Sequence, residues 1–137
     1  LGAVVVTRSH ELNPQDVANT LWAVAALPLR DEVLLQATCK RASTLMRSLK
    51  AQEFASSLWA MASLSVVDDK VLEPFTVRTS YIIHECRPLS LANAAWALAR
   101  LKACSPTAMR ALASAASAKA EHFDAQALAN CMWGFAT

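Results

Sequence analysis

Apolar residues recur along this chain at helical spacing, and the helical pattern is itself repeated. The stretches LNPQDVANTLWAVAAL, LKAQEFASSLWAMASL, CRPLSLANAAWALARL and FDAQALANCMWGFAT align without gaps. Each holds one tryptophan, Trp22, Trp59, Trp96 or Trp133, set 37 residues apart, and the chain has no other. Four positions before each indole stands Ala18, Ala55, Ala92 or Ala129, and three after it Ala25, Ala62, Ala99 or Ala136. Val17, Phe54, Leu91 and Leu128 lie five before it. Positions 17, 18, 21, 22, 24 and 25 thus form a broad apolar arc on a helix. A fixed period of this length marks stacked supersecondary units.

The boundary signals keep the same register. Pro14 and Pro88 occupy equivalent places, where a first helical turn tolerates the missing N–H. Asn13 and Asp124 precede that place as N-caps, whereas Lys50 and Arg87, which stand there in the other units, cannot cap. Leu12 with Val17, Leu49 with Phe54, and Phe123 with Leu128 have the spacing of a hydrophobic staple. These signals predict A helices starting near 14, 51, 88 and 125. Asp31, Asp68 and Ser105 predict caps for B helices, and the short A–B links require antiparallel hairpins. Pro74 falls inside the second B pattern, where it should kink the helix or delay its start. By register, residues 1–8 are the latter part of a B helix, so Val4 to Val6 read as helix despite their strand-like run.

The expected fold is therefore all-α: an α-solenoid of 37-residue antiparallel helix hairpins, truncated at both ends. Its divisions are 1–11 as the end of a preceding repeat, then 12–48, 49–85 and 86–122, with 123–137 as the first helix of a fourth. One hairpin cannot bury a two-sided apolar face, so neighbours must stack to make a continuous core. Small residues at 18, 23 and 25 and their equivalents permit close approach, with Gly134 replacing alanine in the last unit. The tryptophans, lying within the apolar arc, are expected to fill the space between units before serving any base-stacking role.

Composition narrows the function classes. The chain is 55% hydrophobic with two glycines, which suits packed helices and rules out a glycine-rich nucleotide loop. Polar residues interrupt each apolar run well before a membrane-spanning length. Thirteen Lys and Arg against eleven Asp and Glu give +2, too small an excess to declare a nucleic-acid partner. Cys39, Cys86, Cys104 and Cys131 form no C-x-x-C pair and are expected to be buried reduced thiols. His10 and His84 share a register two units apart, and His84 near Cys86 lacks further ligands, so neither metal nor cofactor is expected. With no catalytic motif in view, the chain is expected not to be an enzyme.

The recurring apolar-x-x-Gln-x-apolar-Ala-Asn-x-x-Trp-Ala-x-Ala-x-Leu pattern resembles the heptatricopeptide repeats, a class close to the octotricopeptide repeats. The resemblance covers essentially the full chain. Gln15, Gln52, Gln126, Asn19, Asn93 and Asn130 match it, while Leu89 and Ser56 depart from it. Pro28, Ser65 and Lys102 stand where that family often has glycine. The resemblance implies an organellar protein of the mitochondrion or plastid, from a class often joined to a RAP domain. It implies binding of single-stranded or ribosomal RNA in processing, stability, translation or ribosome assembly.

Two sets of residues would carry such binding. Gln15 and Asn19, four apart, share a helix face roughly opposite the buried side. With Gln52, Asn93, Gln126 and Asn130 they would form polar ladders, as in modular readers of RNA bases. Alternatively, the asparagines hydrogen-bond the backbone of the next unit. Arg41 and Arg78 share a B-helix register, and Lys50 and Arg87 an A-helix start, so that each pair would follow a phosphate backbone or lie solvated over the core. A protein-interaction scaffold in a large organellar assembly remains the competing function, favoured by the low net charge.

Overall fold

A computed structural model describes residues 1–28 and 30–137. Among the described residues the regular structure is entirely helical. The α-helices are α1 (Gly2–Thr7), α2 (Pro14–Ala26), α3 (Glu32–Thr44), α4 (Ala51–Ser63), α5 (Asp69–Ile82), α6 (Pro88–Arg100), α7 (Pro106–Ala118) and α8 (Ala125–Ala136). In the A-type helices α2, α4, α6 and α8, and in the B-type α3, α5 and α7, the starts lie where the cap signals put them. Asn13 Oδ1 accepts from Asp16 N at 2.9 Å while the Asp16 carboxylate accepts from Asn13 N at 3.0 Å, a reciprocal capping box. Asp31, Ser105 and Asp124 accept from Leu34 N, Ala108 N and Ala127 N, and Asp68 from Lys70 N. The Lys50 ammonium can accept nothing. Instead Glu53 accepts from Lys50 N at 2.8 Å.

The helices pack in chain order in two layers. α2 lies on α4, α4 on α6 and α6 on α8, while α1, α3, α5 and α7 form the parallel series, and each A helix contacts the following B helix. Val4 to Val6 lie in α1 and pair into no sheet. α4 and α6, flanked on both sides, bury Phe54, Leu58, Met61, Leu91 and Leu98 completely. Each such side chain contributes roughly 1.5–3 kcal/mol of transfer free energy. Phe54 of α4 stacks on Phe75 of α5 with ring centroids 5.6 Å apart, tying the layers together. The buried hydroxyls of Thr38 and Thr79 donate to Leu34 O and Phe75 O, four residues back.

Three features were not legible in the sequence. A 3₁₀ turn follows each B-type helix, at Ser9–Glu11, Met46–Ser48, Ile83–Glu85 and Ala120–His122. It leads into an extended pair at each A-helix start, which seats Leu49 and Cys86 in the core. α5 starts on schedule at Asp69 and runs through Pro74, so the expected delay does not occur. That proline lies six residues into the helix, and only the carbonyl of exposed Lys70 loses its amide partner. Finally, Ser65 (φ 55°) and Lys102 (φ 53°) adopt the left-handed conformation. Val66 N donates to Met61 O and Ala103 N to Leu98 O, both at 3.0 Å, closing Schellman motifs that glycine would close more easily. In the first hairpin Pro28 holds Leu27 extended instead (ψ 142°), and residue 29 of that link lies outside the described residues.

Candidate nucleic-acid interface

The polar ladder rests on the geometry of a single A helix. Gln15, Asn19 and Trp22 are spaced by four and three residues, so they form one stripe along α2. The same stripe on α4 is Gln52, Ser56 and Trp59, on α6 Leu89, Asn93 and Trp96, and on α8 Gln126, Asn130 and Trp133. Because successive A helices lie side by side, adjacent stripes form the walls of a groove. Between α2 and α4 this groove encloses about 390 Å³ and is lined by Gln15, Ala18, Asn19, Trp22, Lys50, Gln52, Glu53 and Ser56. Four of the sequence-predicted residues, Gln15, Asn19, Lys50 and Gln52, therefore converge.

None of the six ladder amides (Gln15, Asn19, Gln52, Asn93, Gln126 and Asn130) hydrogen-bonds to another described residue. For Asn19 and Asn93, whose next units are present, the alternative of bonding that unit's backbone is thus not what the fold uses. That work falls to other side chains. Ser43 Oγ donates to Val71 O at 3.3 Å, Thr76 Oγ1 to Ala103 O at 3.1 Å and Arg100 Nε to Ala62 O at 3.1 Å, each across a unit boundary, while Arg41 Nε donates within its own unit to Leu12 O at 3.0 Å. Lys119 Nζ donates to His84 O at 2.7 Å and also to Cys86 O. The ladder amides are left free to exchange water for another partner.

The cations divide. Lys50 and Arg87 are exposed at the A-helix starts and form no ion pair with a described residue. Arg41 and Arg78 do not join them. Both are half-buried on the B layer, Arg41 committed to the Leu12 carbonyl and Arg78 with its Nε buried and unpartnered.

The tryptophans are the main correction. Trp22 is 56% exposed and Trp133 45%, and Trp59 and Trp96 keep partial exposure although A helices flank them on both sides. Trp59 and Trp96 pack against the core, and Trp96 meets Trp133 between adjacent units, as expected, but all four lie toward the rim, on the stripe that carries the amides. Trp22 and Trp133, the more exposed, stand on A helices with a single A-helix neighbour. The guanidinium of Arg100 lies 5.6 Å from the ring centroid of Trp96, and Trp133 is 6.4 Å from it at 36°. A sequence signal for this was present. A seven-residue step, as from Gln15 to Trp22, falls only ~20° short of two full turns, so the two share a face.

The thiols also divide. Cys39, Cys86 and Cys131 are buried as expected, but Cys104 is exposed. Burial pushes the Cys39 thiol up to about 12 and Cys86 up to about 11. His84 is exposed while Cys86 points into the core, so the two do not converge. No helix among the described residues is long and apolar enough to cross a membrane.

These features define an all-α protein of stacked helical hairpins with a polar, tryptophan-lined face. It belongs to the RNA-editing substrate-binding complex 6 protein family (RESC6), whose match spans residues 1–137. That family, and not the heptatricopeptide class specifically, is the one established for this chain. No curated protein matches it.

Proposed function

We propose that this chain is a non-catalytic RNA-contacting module of an RNA-editing substrate-binding complex, holding single-stranded RNA along the A-helix face. The observation that carries this reading is the uncommitted amide ladder beside the Lys50 and Arg87 cations. Amides without internal partners meet base edges, and unpaired cations follow phosphates. The family description supports an RNA-processing complex as the setting. The resemblance to heptatricopeptide repeats supports an organellar location, and the RNA-editing family is compatible with the mitochondrion.

A labelled single-stranded RNA titrated with the chain at two salt concentrations tests this. Affinity should fall with salt, and the Lys50→Ala, Arg87→Ala double variant should reduce the log–log slope by roughly 1.4, at ~0.7 per contact. Absence of measurable RNA affinity would refute it. A scaffold role within the same complex is the second reading. It is favoured by the net charge of only +2, a weak electrostatic footprint for a chain that holds RNA.

A further inference from the structure

We infer that Trp22 is a stacking platform for an unpaired nucleobase, and that the groove between α2 and α4 is a single-nucleotide site. This rests on the reading above and names what that reading leaves open, the chemistry by which the A face holds a base.

A tryptophan kept for packing alone would be covered by the neighbouring unit. On the flank where its neighbour α4 is present, Trp22 is not covered by it but opens onto the groove between the two helices. It lines the groove, and the amides of Gln15 and Asn19 continue its stripe toward the helix start. Gln52 and Ser56 form the facing wall, with Lys50 beside them. An indole face, polar groups to meet a base edge, and a cation within one groove are the three elements a nucleotide needs. The other indoles differ. Trp96 already has Arg100 over its ring and Trp133 beside it, and Trp59 is more covered. Trp22 is the indole that lines the α2–α4 groove with the amides.

The same chemistry selects a single strand. In an A-form duplex the bases are stacked on one another and their edges are recessed in a narrow major groove. A ring face is offered to an indole only when the base is unpaired. Every base has such a face, so Trp22 contributes affinity with little sequence preference, and the amides around it contribute discrimination.

The test uses the intact chain with single-stranded RNA 12-mers, a matched duplex, and inorganic polyphosphate as a charge-only probe. Single strands should quench tryptophan fluorescence, and Trp22→Phe should remove most of that quench while holding affinity within about threefold, since a phenyl ring still stacks. Trp22→Leu, which keeps the apolar bulk, and Trp22→Ala should each weaken binding roughly 5- to 100-fold, with the salt slope unchanged because no phosphate contact is lost. Equal affinity for wild type and Trp22→Leu, or equal binding of polyphosphate without quench, would overturn the stacking site while RNA binding stood. A wild-type chain that binds no single strand would overturn both.

Discussion

Replacing Gly134 by alanine sets local and tertiary expectations against each other. In the other A helices this register holds Ala23, Ala60 and Ala97, and alanine is the better helix former by ~1 kcal/mol. Local reasoning therefore forecasts a more stable protein. The packing reverses the sign. A Cβ on Gly134 would lie 2.8 Å from both the carbonyl carbon and oxygen of Ala95, and 3.2 Å from its Cβ. Comfortable contact between carbons needs ~3.5–4.0 Å, so α8 must withdraw from the α6 backbone by most of an ångström. Overpacking of this kind costs typically ~1–3 kcal/mol. Set against the propensity gain, the net loss is about 1 kcal/mol, which lowers the melting temperature of a domain this size by roughly 3–4 °C. The residue opposite explains why glycine sits here. Ala95 occupies a register held by Leu21, Leu58 and Met132 in the other units, so both sides of the α6–α8 contact at Gly134 are trimmed. Thermal unfolding followed by far-UV circular dichroism gives the stability. Near-UV dichroism reports the Trp96–Trp133 pair, whose 6.4 Å separation should widen and its signal weaken. A variant melting at or above the wild-type temperature, with the near-UV spectrum unchanged, would refute the close approach.

Three further outcomes follow from other parts of the fold. Ser65→Gly and Lys102→Gly should each stabilise the protein by about 1 kcal/mol, because left-handed backbone strains any residue with a Cβ. Denaturant midpoints measure this, and the same changes at exposed helical Ser63, which has no such strain, should destabilise. The thiols should react in order with an aromatic disulfide reagent at pH 8, exposed Cys104 at once and Cys39, Cys86 and Cys131 only as the chain unfolds. The buried pair also sets a pH dependence. Cys39 stays neutral in the folded chain to about 12 and Cys86 to about 11, against an ordinary 9.0 when unfolded. Their contribution is complete below pH 9 and is lost as pH rises through that window. Urea midpoints of wild type against a Cys39→Ala, Cys86→Ala variant, compared from pH 8 to 10.5, should show the wild type losing the more.

Helix class, helix starts and register were written in the chain because each rests on local chemistry. A cap accepts from an amide two or three residues on, and an apolar arc repeats with the turn of its own helix. The 3₁₀ turns escaped notice because no glycine or proline marks them. That Gln15 and Asn19 share a face was legible from spacing, since residues four apart on one helix do so whatever surrounds them, and the packing of α2 on α4 adds Gln52 and Lys50 to the same groove. Arg41 is the opposite case. Its charge and register suggested a phosphate contact, but the carbonyl that engages it belongs to Leu12, 29 residues earlier.

By itself, then, the sequence determined the units: what is helical, where each helix begins, and which residues recur at equivalent places. Only the tertiary structure decided which recurring side chains are covered. Burial depends on what the next helix brings to the contact. The indoles, which hydrophobicity alone assigns to the interior, lie toward the rim, while Leu58, Ala60, Ala95 and Ala97 of the same helices are buried. The side-by-side packing of the A helices leaves the amides beside the indoles facing water, and so makes a groove from a repeat.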